Sequence, residues 1–522
     1  MAVALNGRGK VPARYSEPHA NRVVWGIVWV TLMAAALLVR AIHLDQSILD
    51  FHPTRQYRSA IIARACYYDA APAIPEWARS VAVANLAMQP VGEPPLMEWL
   101  ACVGYQTVGS ERLAIPRALA AIFWVIGVIP LSAVIRRFAS ANAALLGATV
   151  YLFLPYGIVA TRVFLPDPLM TCCTLWAILA LVRHHERAST LRMLVAASAV
   201  GIAGVVKPMS VFLTLAAAGS LAIARHGLRG AVTNAKVWRL LVLSVVPPGL
   251  YYGYEAVYGS LAQDQMHLRF VPSLLGSAFF WAGVWTQIQR AFGPVMFLAG
   301  AAGTMFIARG PYRTLLIGLW VGYALFAVTF TYHMATHDYY HLPYIALIAF
   351  GVAALFGRLE PLVRQRRGER AVTALAAVAT LAMAIAGSTL AWPRLDVADA
   401  AERVERYAEI GALARHSTRI VFLDLEYGYP LMYHGEVSGD FWPNADDLAA
   451  ESFGGMPAID AEMRFARDYS DFGATHFVVT DLASLAAQPD LVRWLDTHAT
   501  PVRKTEADHV YELLPASPRT PM

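Results

Sequence analysis

Apolar runs long enough to cross a bilayer recur along the first three quarters of the chain, separated by short polar stretches. They cover 22–42, 115–135, 142–161, 168–183, 191–206, 208–225, 238–258, 292–308, 312–332, 342–357 and 372–391. A helix needs about 20 predominantly apolar residues to span the hydrocarbon core, so the pattern predicts about eleven transmembrane helices. The least marked boundary is "VVKPMS", where only Lys207 and Pro208 turn the chain. The first run follows a polar, basic N-terminal stretch, 1–21, and no small-residue cleavage site comes after it. It reads as a retained span rather than a signal peptide.

Two segments have helical spacing without span length. In "RQYRSAIIARACYY", Tyr57, Ile61 and Ala65 share one face, which predicts a helix lying at the membrane surface. Residues 277–292, rich in Trp and Phe, predict a second. After Trp392 the pattern becomes that of a small globular α/β domain, 393–522. "AAERVERYAEIGALARH" and "DLVRWLDTH" read as helices there, and "RIVFLDLE", "THFVVTD" and "DHVYELLP" as short buried strands. The predicted architecture is a polytopic α-helical membrane domain, 22–391, followed by this domain.

Charge changes the picture by orienting it. The loops carrying Arg136–Arg137, Arg183 to Arg192, Arg225 to Arg239, Arg309 to Arg313 and "GRLEPLVRQRRGER" are short and basic, and they alternate with loops of mixed polarity. Cytoplasmic loops collect Lys and Arg. The expectation is therefore an inner-membrane, multi-pass protein with a cytoplasmic N-terminus and a periplasmic C-terminal domain. Composition agrees with a lipid solvent. The 522 residues are 57% hydrophobic and 15% charged, against about 25% charged in ordinary soluble domains. The net charge of +5 comes from the loop arginines and forms no basic domain suited to nucleic acid. The four cysteines form no CxxC; Cys172–Cys173 read as packing residues, and for Cys66 and Cys102 packing is favoured over a disulfide.

Six polar clusters fall at the outer ends of the predicted spans. They are Asp50 to Arg58, including His52, Arg55, Gln56 and Tyr57; Glu93 with Pro94–Pro95; Arg162 and Asp167; Lys207; Asp264, His267 and Arg269; and "THDYYHLP" at 336–343. Snorkelling accounts for an Arg or Lys near an interface, and a belt position for Tyr339–Tyr340. The carboxylates Asp50, Glu93 and Asp167 are less easily dismissed. An ionised group near bilayer depth is costly and is usually paired or functional.

The runs "GEPPLMEWLACVGYQTVGSERLAIPRALAAIF", "ALLGATVYLFLPYGIVATRVFLPDPLM" and "HDYYHLPYIAL" resemble bacterial protein O-mannosyltransferase-like and lipid A aminoarabinose transferase-like glycosyltransferases of the GT-C superfamily. The resemblance covers roughly 22–391. It implies an enzyme that moves a sugar from a polyprenyl-phosphate carrier to a protein, lipid or glycan acceptor outside the cytoplasm, with inversion. In that family the base is an acidic residue of the first outer loop, often in an Asp-Glu pair ahead of a Tyr. Here Pro53 and Thr54 occupy those positions if Tyr57 aligns with that Tyr, so the resemblance points to Asp50, then Asp167. Glu93 fits the acidic-Pro element, with a role in orienting the acceptor or in holding a divalent cation with His267. Arg55, Lys207 and His337 are the expected phosphate ligands, with Arg162 and Arg269 in reserve, and Gln56 and Tyr57 join them as substrate contacts. Tyr339 and Tyr340 would line the sugar or the first isoprene units. A transporter or flippase, or a scaffold bearing a binding domain, explains the spans equally well but not polar groups gathered at one side.

Overall fold

A computed structural model describes residues 19–89, 92–258, 270–396, 400–424, 426–453 and 457–514. The first helix, α1 (His19–Ala41), leads into a polar segment and then α2 (Pro53–Ala70), α3 (Glu76–Ala87) and α4 (Leu96–Val108). Proline begins α2, where its missing N–H costs nothing, and Gly109, at φ 74°, ends α4 in the left-handed region. There follow α5 (Ala114–Ile135), α6 (Ala141–Phe153), α7 (Pro155–Ala160), α8 (Asp167–Glu186), α9 (Thr190–Val206), α10 (Ser210–Thr233) and α11 (Ala235–Tyr258). Pro155 breaks the predicted 142–161 span into α6 and α7, because it cannot continue the hydrogen-bond ladder. At the doubtful boundary Lys207 takes an extended backbone, so α9 and α10 are separate helices.

Seven described helices are long and apolar enough to cross a membrane, and three shorter apolar ones accompany them. With α8 they account for the expected set, and the chain is a multi-pass membrane protein. Helices Pro294–Phe306 and Ile345–Arg367 show how lipid-embedded helices approach closely. A Cβ on Gly303 would lie 1.8 Å from the Gly351 carbonyl oxygen, so only glycine permits this backbone contact. The segment expected to lie at the interface forms helix Ala278–Ala291, with Trp281 and Trp285 exposed on one side.

The C-terminal region folds as a five-stranded sheet, β1 (Ile420–Leu423), β2 (Gly439–Phe441), β3 (His476–Val479), β4 (Ala499–Lys504) and β5 (His509–Leu513), in the order β2-β1-β3-β5-β4. β1 pairs in parallel with β2 and β3, and β5 pairs antiparallel with β3 and β4. β1 and β3 are buried along their whole length, which is why they read as continuous apolar runs.

Two expectations need correction. The helix α2 does not lie open on the membrane surface. It buries ten residues between α3, α4 and the sheet domain. The Tyr57 hydroxyl meets His434 Nε2 at 2.7 Å, the Arg64 guanidinium stacks 3.5 Å over the Tyr433 ring, and Thr54 donates to Glu426 at 2.6 Å. Cys66 and Cys102 are joined in a disulfide. Packing of α2 on α4 brings their Cα atoms to 6.0 Å, within bridging distance.

Candidate active site

The cationic groups converge on Tyr339, which lies in the 3-10 turn Asp338–Tyr344 between helices Thr331–Thr336 and Ile345–Arg367. The Arg55 guanidinium carbon stands 5.6 Å from the centre of the Tyr339 ring, and Lys207 Nζ stands 5.8 Å from it. The His52 ring packs edge-on at 4.9 Å, and the His337 ring lies 5.5 Å away. The loop before α2, the break between α9 and α10, and the 3-10 turn thus meet at one end of the bundle, beneath the sheet domain.

Lys207 is buried and donates to both carboxylate oxygens of Asp167, at 3.0 and 2.9 Å. Asp167 is the first residue of α8, where free N–H groups and the helix dipole favour a negative charge. A cavity beside this pair is lined by Met170, Leu213, Phe326, Tyr340 and Tyr344. A second, apolar cavity shares Thr174, Leu213 and Pro343 with it and is lined further by Ile178, Leu319 and Phe350. Arg55 enters no ion pair among the described residues, and its guanidinium faces the Tyr339 ring.

The structure therefore brings together Arg55, Lys207, Asp167, Tyr339, Tyr340 and His337. His337 does not suit the cationic role expected of it. Burial, with His52 and Arg55 nearby, holds its pKa down to about 4, so the imidazole is neutral at neutral pH. Four other expected site residues are occupied in holding the fold. Asp50 Oδ2 accepts from Arg117 at 2.8 Å and lies 4.0 Å from Arg162. Gln56 is fully buried, donating to the Phe51 carbonyl at 2.5 Å and accepting from the Phe164 N–H at 3.0 Å. Tyr57 is fully buried against His434. Arg162 turns to the end of α1, donating to the Ile42 and His43 carbonyls. His267 and Arg269 lie outside the described residues. Because His267 lies outside the described residues, its expected pairing with Glu93 lies outside them too, and no group of three or more His, Cys, Asp or Glu among the described residues is placed to hold a metal ion.

Sequence reasoning did not single out a further pair. His52 Nε2 lies 2.8 Å from Asp338 Oδ1, and the Tyr156 hydroxyl donates to the same oxygen at 3.0 Å. Both residues fall inside the quoted polar clusters, but 286 positions separate them and nothing in either cluster announces the contact.

A bundle of membrane helices with a small C-terminal sheet domain packed against it has the fold of the GT-C membrane glycosyltransferases, as the motifs suggested. A sequence model of the family described as dolichyl-phosphate-mannose-protein mannosyltransferase matches residues 92–252. ArnT from Cupriavidus metallidurans, bound to undecaprenyl phosphate, superposes with a TM-score of 0.59 at 17% identity, covering 96% of this chain and 100% of that one. The archaeal oligosaccharyltransferase AglB from Archaeoglobus fulgidus, in complex with an inhibitory peptide and a dolichol-phosphate, gives 0.59 at 11% identity, covering 93% and 73%. The mycobacterial arabinofuranosyltransferase AftD gives 0.52 at 17% identity, covering 94% of this chain and 41% of that one. At these identities the likeness is one of fold. No curated protein matches the chain in sequence.

Proposed function

We propose that the protein is a membrane glycosyltransferase that moves a sugar from a polyprenyl-phosphate carrier to a hydroxyl group of an acceptor, inverting the anomeric carbon. The observation that carries this reading is the placement of Arg55 and Lys207 around Tyr339, with Lys207 and Asp167 lining an adjoining cavity whose other walls are largely apolar. Arg55 offers a fork of donors suited to phosphate oxygens, and Lys207 a point charge. Both act where negative charge develops as the carrier phosphate leaves. Tyr340 and Phe326 line the space for the sugar and the first isoprene units. Glu93, just ahead of α4, orients the acceptor.

Orientation follows from the opposite end of the bundle. There Arg137 pairs with Glu186 at 2.7 Å, Tyr312 donates to the same carboxylate at 2.9 Å, and the short basic loops gather. The positive-inside rule assigns that end to the cytoplasm. A disulfide between α2 and α4 fits an oxidising compartment at the site end. Transfer then takes place outside the cytoplasm. The transporter reading is disfavoured because the polar groups gather at one end rather than at the midplane between repeated halves.

The test uses the full chain in detergent. Undecaprenyl phosphate binding is titrated for the wild type, Arg55→Ala and Lys207→Met, and envelope glycans of a deletion strain complemented with each are compared by mass spectrometry. The reading expects loss of binding and of one glycan species in both variants. Binding and glycans unchanged in both would overturn it.

A further inference from the structure

We infer that His52, held by Asp338, is the group that accepts the proton of the attacking acceptor hydroxyl. The inference rests on the transferase reading above and supplies the base that the Pro53–Thr54 replacement removes from the first outer loop. Two of the carboxylates first expected there are paired, Asp50 with Arg117 and Asp167 with Lys207.

His52 has the geometry of a positioned base. It is the residue immediately before α2, in the left-handed region at φ 43° and ψ 62°. A non-glycine residue pays for that conformation, and such positions concentrate where a side chain must be aimed. The aim here is set by Asp338, whose Oδ1 lies 2.8 Å from His52 Nε2 and is itself fixed by the Tyr156 hydroxyl. With the carboxylate on Nε2–H, the lone pair lies on Nδ1, which forms no hydrogen bond among the described residues. The side chain keeps 31% of its surface exposed, while Asp338 keeps 16%. The ring also packs against Tyr339, the same ring that Arg55 and Lys207 flank.

In the step so catalysed, the acceptor oxygen forms a bond to the anomeric carbon and its proton passes to His52 Nδ1. The bond from that carbon to the phosphate oxygen breaks, and its electron pair leaves on polyprenyl phosphate between Arg55 and Lys207. Asp338 stabilises the imidazolium and acts as a positioning residue. Base catalysis of this kind is worth about 10²–10⁴-fold.

The experiment measures turnover of a radiolabelled polyprenyl-phosphate sugar by the full chain in membranes of the producing strain, which supply the acceptor. Undecaprenyl phosphate binding is measured in parallel. His52→Gly is the informative variant, because glycine accepts the left-handed backbone without strain. We expect its rate at saturating donor to fall at least about 100-fold, with donor KM and undecaprenyl phosphate binding within about threefold of wild type. Added 4-methylimidazole should restore a substantial part of that rate in His52→Gly but not in wild type. Asp338→Asn should lower kcat with KM unchanged. A His52→Gly enzyme at wild-type rate, or one whose loss is all in binding and is not rescued, overturns the assignment of the base. The transferase reading then still stands if wild type binds undecaprenyl phosphate and Arg55→Ala does not.

Discussion

Asp50 Oδ2 and Arg117 Nη2 lie 2.8 Å apart in a buried pair, with Arg117 fully enclosed and the Asp50 side chain 10% exposed. Arg117 also donates to the carbonyls of Leu44, Gln46 and Arg162. It ties the loop after α1 to the loop before α8. Truncating Asp50 leaves that guanidinium without its counter-charge, a change that costs about 3–5 kcal/mol when the partner is buried. Asp50→Ala should therefore lower the thermal unfolding midpoint markedly. Asp50→Asn, which keeps the shape and an acceptor oxygen, should retain at least about a third of wild-type turnover, well short of the losses that removing a general base brings. An Asp50→Asn protein of unchanged stability and abolished turnover would put Asp50 back into the chemistry.

Arg55 stands over the Tyr339 ring and enters no ion pair among the described residues. A hydrogen bond to a charged group is worth about 1.5–3 kcal/mol, so Arg55→Ala should weaken undecaprenyl phosphate binding by about 10- to 150-fold. Arg55→Lys should recover part of the charge but not the forked geometry. Native mass spectrometry or calorimetric titration of the detergent-solubilised chain reads both. A loss below about threefold in Arg55→Ala would mean that the phosphate is held elsewhere.

The membrane architecture was legible because lipid imposes a length and a polarity on every span, and both are written into the local sequence. The break at Lys207 was only faintly marked, because proline alone does not end a helix here: Pro130 lies inside α5 and Pro247–Pro248 inside α11. The buried strands β1 and β3 were readable as apolar runs. β2, with the sequence Gly-Asp-Phe, and β4, which contains Pro501, were not, because short edge strands carry little periodic signal. At the site, residue type identified Arg55, Asp167, Lys207 and Tyr339. It misplaced Gln56, Tyr57 and Arg162, polar residues whose partners are the Phe164 N–H, His434 and the end of α1. Which face of α2 meets the sheet domain depends on a docking some 370 residues away in sequence, set by contacts such as Thr54 with Glu426. The His52–Asp338 pair was hidden for the same reason.

The Cys66–Cys102 bridge ties α2, which carries Arg55, to α4, which follows Glu93. Differential alkylation of freshly prepared membranes should find these two cysteines oxidised and Cys172 and Cys173 reduced. A crosslink closing a loop of this size contributes about 2–4 kcal/mol, so Cys66→Ser should lower the unfolding midpoint and Cys66→Ser with Cys102→Ser should lower it no further. Free thiols at both positions in the wild type would contradict the bridge and remove one support for placing the site outside the cytoplasm.

The docking of the sheet domain carries a pH dependence of predictable sign. Burial, helped by the nearby Arg64 charge, pushes the His434 pKa from its ordinary value of 6.5 down to about 3, so the neutral ring meets the Tyr57 hydroxyl. Unfolded His434 takes up a proton below about pH 6.5, while folded His434 does not do so until about pH 3. Between those values the unfolded state binds more protons, so stability rises with pH there. The contribution is fully present above about pH 6.5 and is lost progressively on acidification, by at most about 1.4 kcal/mol per pH unit. His337 adds a second term of the same sign, complete only near pH 4. Thermal unfolding followed at pH 7.5, 6 and 5 should show a falling midpoint in wild type and a shallower fall in His434→Gln, whatever the variant's stability at pH 7.5. Equal slopes in the two proteins would mean that His434 does not couple protonation to docking.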